Sequence, residues 1–220
     1  FSRDGSRVAF AYQPEGEPPD LWIADADLGG RRRVTHDGYT DWDPTWSRDD
    51  ARLAFEQTRD GQVDVWIVDV ESGEETRVTR HPDRDVGPAW SPDGSVIAYQ
   101  SRREGRYGIY AVSPSGGDER ALVAPAGDAV APCWFPDAHR IAFVLVNGGR
   151  GEIWTAGADG SDPRRLTGDP KLFEFLPAVS PDGRSVAFIA RPAAGHGTFD
   201  LEVVGADGSS PRRLTRTGGW

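Results

Sequence analysis

Methionine is absent from this 220-residue chain, and cysteine and lysine occur once each. The lone Cys133 cannot close an internal disulfide, which excludes a cystine-stapled scaffold and leaves the redox compartment open. Its setting, Ala131-Pro132-Cys133-Trp134, marks a small buried apolar residue rather than a reactive thiol. No apolar run approaches the ~18 residues that a membrane-spanning helix needs. Helical hydrophobic periodicity is missing too, which excludes the helical solenoids. Catalytic signatures with a fixed local spelling are also lacking: there is no Gly-x-Ser-x-Gly elbow, no His-Glu-x-x-His zinc motif, no Walker loop and no paired-cysteine metal site.

What is present is charge of one sign and a repeat. The net charge is −10, with 37% hydrophobic and 27% charged residues, so the chain can bury a substantial core. A negative field repels phosphate backbones, and nucleic acid is not an expected partner. Arginine clusters at 31–33, 77, 120, 164–165 and 212–213, one repeat apart, where it reads as charge that protects a sheet edge from unwanted pairing.

The string Ser-Pro-Asp-Gly, or a close variant, returns five times with its aspartate at 4, 49, 93, 137 and 182, a period of 44 or 45 residues. Such a period marks a repeat architecture, here with approximate units 1–43, 44–87, 88–131, 132–176 and 177–220. Within each unit the apolar pattern has the two-residue period of strands. After the Asp-Gly turn come Val8-Ala9-Phe10, Leu53-Ala54-Phe55, Ile97-Ala98-Tyr99, Ile141-Ala142-Phe143 and Val186-Ala187-Phe188, bulky on one face and alanine on the other. That alternation suits sheets packed face to face. A third strand follows at Leu21-Trp22-Ile23, Val65-Trp66-Ile67, Ile109-Tyr110-Ala111, Ile153-Trp154-Thr155 and Leu201-Glu202-Val203, with Glu202 replacing an aromatic and suggesting a more solvated flank. Glycine-bearing turns lead to a short last strand ending in Val34-Thr35, Val78-Thr79, Leu122-Val123, Leu166-Thr167 and Leu214-Thr215. The innermost strand starts at the prolines of Pro44-Thr45-Trp46, Pro88-Ala89-Trp90, Pro132-Cys133-Trp134 and Pro177-Ala178-Val179. Four antiparallel strands per unit predict an all-β propeller with about five blades, whose tryptophans at 46, 90 and 134 are core.

The pattern P-x-W-S-P-D-G, an I-A-F-like strand, an I-Y-V-like strand and a terminal R-R-L-T resembles the TolB-like β-propeller repeat, also called the WD-repeat-like propeller repeat; Pro88 to Gly94 matches it nearly letter for letter. Trp42-Asp43 is expected in a loop, unlike the strand-ending pair of true WD repeats. The resemblance implies a six-bladed or larger ring of which this single domain is a fragment. It implies a non-catalytic binding or scaffolding role for a protein or peptide partner, and a periplasmic or secreted location, with a cytoplasmic one left open. The alternative is the substrate-gating propeller of a prolyl-oligopeptidase-type serine peptidase whose catalytic domain lies outside this chain. Oligomeric state is not encoded in any of these features.

Candidate site residues lie in the connections, because a propeller fold by itself specifies no activity. Asp41, Asp85, Asp128 and Glu174 recur just before the inner-strand prolines, a spacing that would arrange four carboxylates around the channel mouth. They are expected to fix their loops by accepting backbone hydrogen bonds; the competing possibility is a calcium site or a dock for a basic peptide. His36 and His81 occupy corresponding loops of adjacent units, and by resemblance to TolB-like lyases, which use histidines and a metal, they form the one enzymatic candidate pair. His139 and His196 carry no such pattern. The long second-to-third-strand connections, 13–20 with Glu15 and Glu17 and 191–198, are the expected contact surfaces.

Overall fold

The computed structural model describes residues 1–124, 127–193 and 197–216, and all regular structure among them is β-strand. Five sheets follow one another along the chain. The first has three strands, β1 (Arg7–Tyr12), β2 (Asp20–Asp25) and β3 (Arg32–Arg33). The second has β4 (Thr40–Trp46), β5 (Arg52–Arg59), β6 (Gln62–Asp69) and β7 (Glu75–Arg77). The third has β8 (Asp85–Trp90), β9 (Ile97–Arg103), β10 (Arg106–Val112) and β11 (Arg120–Val123). The fourth has β12 (Asp128–Trp134), β13 (Arg140–Asn147), β14 (Arg150–Gly157) and β15 (Arg164–Arg165). The fifth has β16 (Leu172–Val179), β17 (Ser185–Pro192), β18 (Asp200–Gly205) and β19 (Arg212–Arg213). A four-stranded meander in chain order is the sheet of a propeller blade, so the chain is an all-β propeller chain, as its periodicity predicts.

Two compact units divide the chain: Phe1–Arg102 with Tyr110–Arg120, and Arg103–Ile109 with Ala121–Trp220. Inside the first, the two faces of β5 go to different cores. Leu53 and Phe55, both fully buried, join Leu21, Ile23, Val34, Trp66 and Val68, with Ala9 and Ala11 packed alongside. Ala54 points the other way, into Val65, Ile67, Val78, Trp90, Ile97 and Tyr99. A bulky face therefore meets alanines of the preceding sheet, and an alanine face meets bulky residues of the next. In the second unit Val186, Phe188 and Ala190 likewise pack with Ala142, Val144, Ile153 and Val204. Burying each of the valine, leucine, isoleucine and phenylalanine side chains contributes about 1.5–3 kcal/mol relative to leaving it in water.

The Ser-Pro-Asp-Gly turn is closed by its own side chains. The Ser91 hydroxyl donates to Asp93 Oδ1 (2.6 Å), which also accepts from the Ser95 amide (3.0 Å), while Ser91 Oγ accepts from Val96 N (3.1 Å). Gly94 takes φ +77°, where a side chain would be strained. Repeat two puts Asp50 in that position at φ 55° and keeps the rest of the turn, with Ser47 Oγ 2.5 Å from Asp49. Repeat four has Phe135 for the serine, and the Arg140 guanidinium covers its ring at 4.1 Å while also bonding Asp137.

The inner strands begin earlier than their prolines suggest. Each crosses a β-bulge, at Trp42/Thr45, Val86/Ala89, Val130/Cys133 and Phe175/Ala178, and pairs on both sides of it. The residue before each proline, Asp43, Gly87, Ala131 or Leu176, has a φ between 51° and 59°. Trp42-Asp43 therefore lies inside β4 rather than in a loop. A bulge breaks the two-residue alternation, which is why the strand hides its first half from sequence inspection.

Candidate functional site

The four recurrent acids sit in these strand beginnings, not in free loops. Asp85 and Asp128 open β8 and β12, while Asp41 and Glu174 lie one and two residues inside β4 and β16. Asp41 and Asp85 are fully buried and Glu174 is 3% exposed. The Thr167 hydroxyl and the Ile153 amide both donate to Glu174 Oε2, linking the fourth sheet and the residues after it to β16 of the fifth. Asp128 is different. It stands one residue out of register with the other three, is half-buried, and accepts from the Tyr107 amide (2.8 Å), while fully buried Ala129 fills the equivalent place.

The preceding sheet, β8 to β11, departs from a second shared device. In the others, the third strand carries an acid within its first three residues that meets an arginine of the last strand: Arg33 with Asp20, Arg77 with Asp64 (2.7 Å), Arg165 with Glu152 (3.5 Å) and Arg213 with Asp200. The threonine two residues after that arginine accepts from a third-strand amide, as Thr35 does from Leu21 N and Thr79 from Val65 N, both at 3.0 Å. Arg33 and Arg77 Nε also reach the carbonyls of Thr35 and Thr79 (3.0 Å). Repeat three carries Gly108, Ala121 and Val123 at the acid, arginine and threonine positions, so all members of the clasp are lost together. These arginines are thus spent inside their own blades, a finer role than protection of an edge.

Around fully buried Gln57 the first unit gathers three carboxylates. Its amide nitrogen lies 3.0 Å from Asp37, 3.1 Å from Asp41 and 3.1 Å from Glu75. An amide nitrogen carries two hydrogens for these three acceptors, so the cluster favours a retained proton. Burial pushes Asp41 up to about 6, against the pull of Thr35 and Gln57. Glu75 is pushed up to about 7 by burial, with Asp37 and Asp41 adding to the rise and Gln57 opposing it.

The remaining candidates are scattered. His36 is exposed; His81 is half-buried, accepts from the Asp83 amide at Nδ1 (3.2 Å) and stands 3.9 Å from the Asp83 carboxylate. Among the described residues, no group of three or more His, Cys, Asp or Glu is arranged to hold a metal ion. His196 lies outside the described residues. Glu15 and Glu17 are both exposed on the β1–β2 connection, where Glu17 meets Arg33 at 3.3 Å and Tyr12 packs edge-on against Trp22. The Cys133 thiol is held up by burial, with the Val179 amide opposing, in keeping with an unreactive packed residue.

Blades of this construction define a β-propeller with its polar groups largely committed to internal ties. The family model described as the TolB beta propeller domain matches residues 1–127, and the chain belongs to that family. A 46-residue stretch is 48% identical to the Tol-Pal system protein TolB of Anaeromyxobacter dehalogenans, covering 21% of this chain and 10% of that protein. Among solved structures, TolB from Acinetobacter baumannii superposes with a TM-score of 0.83 at 21% identity, over 96% of this chain and 53% of that one. The putative TolB from Agrobacterium tumefaciens gives 0.84 at 24% identity, over 100% of this chain and 80% of that one. A puromycin-hydrolyzing peptidase of Mycobacterium tuberculosis gives 0.71 at 21% identity, over 98% of this chain and 37% of that one. The chain thus spans about half the length of the Acinetobacter TolB, and at these identities the structural likeness establishes the fold.

Proposed function

We propose that this chain is a non-catalytic, protein- or peptide-binding propeller of the TolB type, acting at the bacterial envelope on its periplasmic side. The observation that carries this reading is the family match over residues 1–127. The name Tol-Pal system protein TolB, borne by its curated relatives, supplies the envelope setting. With Asp41, Asp85 and Glu174 buried, the recognition surface is assigned to the connections, above all the one that exposes Glu15 and Glu17 beside Tyr12. Its charge fits a basic partner segment.

The test is affinity isolation of the tagged full-length protein from envelope extracts after crosslinking. A discrete partner is expected, with recovery reduced in the E15K/E17K double variant; unchanged recovery would remove this surface from the proposal. The likeness to the puromycin-hydrolyzing peptidase keeps a second reading, the propeller of a serine peptidase whose catalytic domain lies elsewhere in the parent chain. Covalent labelling of the full-length protein by a fluorophosphonate would favour that reading over the first.

A further inference from the structure

Four of the five repeats place an aromatic residue in the middle of the third strand, at Trp22, Trp66, Tyr110 and Trp154, and the fifth places Glu202 there. The first unit shows what that aromatic does. Trp66 packs against Leu21, Ile23 and Val34, so its ring fills the space between its own sheet and the last strand of the preceding repeat. Tyr110 packs in the same way near Val78. In the second unit the corresponding space lies beside Leu166, and with Glu202 in place of a ring it opens as a cavity of about 440 Å³.

The walls of this cavity combine apolar and acidic side chains. Leu166, Leu172, Phe188 and Val204 line one part, and Asp169, Glu174 and Glu202 supply carboxylates, with Arg165 as the lining cation. Arg165 already faces Glu152, and Arg213, which pairs across the strand from Glu202, is held by Asp200 and by the Thr215 carbonyl. Glu174 is held by Thr167 and Ile153. Glu202 has no hydrogen bond or ion pair to any described residue, and it is half-buried. Arg213 attracts Glu202 across the strand but is itself bound to Asp200, and Asp200 and Asp169 oppose the Glu202 charge, so a carboxylate half-withdrawn from water here is costly and a further cation would relieve it. The volume lies within the range of small-ligand sites, about 300–1,000 Å³.

We propose that this cavity is a binding site for an organic cation, an ammonium or guanidinium group on an aromatic or aliphatic stem, with Glu202 pairing the charge and the apolar wall taking the stem. An indole carrying an amine suits it best, because Trp66 and Tyr110 show that a ring fits the equivalent place and Glu202 adds the charge it would meet. The inference goes beyond the envelope-binding reading and stands on the cavity alone, so failure to find an envelope partner would leave it intact.

The test is a titration of the full chain with tryptamine, followed by calorimetry or protein-observed NMR, with a second arm using a blocked tripeptide whose only charge is an arginine side chain. Tryptamine is expected to bind, with affinity weakened about tenfold or more in Glu202→Gln. Glu202→Trp, which restores the residue of the other repeats, is expected to abolish binding and to raise the melting temperature by filling the space. Competition by the tripeptide would identify partner side chains as the source of the cation, and binding of tryptamine alone would identify free amines. No binding of either probe at millimolar concentration, equal binding by wild type and Glu202→Gln, or a lowered melting temperature in Glu202→Trp would overturn the proposal.

Discussion

Asp41 and Asp93 show how one residue type is driven in opposite directions by its surroundings. Asp93 is held below the usual carboxylate range by the Ser91 hydroxyl and the Ser95 amide, and Asp4 in the first repeat is lowered to about 2, chiefly by the Ser6 amide. A carboxyl lowered by folding adds stability that is complete above its unfolded pKa and is lost as pH falls through the folded one. Asp41 at about 6 and Glu75 at about 7 are raised by burial, so their contribution is complete below the unfolded value and is lost as pH rises through those values. The melting temperature is therefore expected to fall between pH values of about 4 and 7, and Asp41→Asn is expected to flatten that fall. A scan across this range checks it; the same slope in both proteins would show that the Gln57 cluster does not govern it. Millimolar calcium is expected to leave the melting temperature unchanged, because Asp41 and Asp85 are buried and Asp128 and Glu174 are engaged by groups of the preceding sheet and the residues after it.

Within a blade, the clasp between third and last strands carries a clear expectation. Removing Arg77 as alanine leaves Asp64, whose side chain is 3% exposed, without its cation. Breaking a buried pair costs about 3–5 kcal/mol, and because Arg77 is itself 34% exposed the loss should fall near the lower end. Chemical denaturation of Arg77→Ala measures it; a loss below about 1 kcal/mol would place the pair among ordinary surface salt bridges. Much of the blade is written plainly in the chain. The Val-Ala-Phe alternation of the second strands and the Ser-Pro-Asp-Gly turns are local patterns with local causes, and both appear in the structure. The clasp escaped because its members are 13 residues apart and meet only through a hairpin, as Asp20 and Arg33 do. Comparing repeats could have found it: the acid, the arginine and the threonine are all missing from repeat three and from no other. The inner strands escaped for another reason, since the bulge before each proline erases the alternation that identifies a strand. The acids at 41, 85, 128 and 174 all stand shortly before a proline, yet Asp128 lies one residue further from it than the others, and that offset turns it to the other face of its strand.

Across the whole molecule, the repeats are alike because each solves the same packing problem, and they differ where something else can be recognised. Leu53, Ala54 and Phe55 satisfy two cores at once, so a blade is stable only beside another. Leu53→Ala is expected to destabilise the protein by about 2–5 kcal/mol, because it opens space in a core that Leu21 and Val34 share. The features that set one repeat apart, the Glu15–Glu17 connection and Glu202, are those to which binding is assigned.

If each repeat is a separate four-stranded sheet whose second and third strands are hydrogen-bonded on both sides, amide hydrogen exchange should reveal it. The slowest amides are expected in the middle strands β5–β6, β9–β10, β13–β14 and β17–β18, separated by faster ones in β3, β7, β11, β15 and β19, in a pattern that returns every 44 or 45 residues. Protection gathered in one continuous segment, or falling with no such recurrence, would contradict the blade architecture on which every assignment above is built.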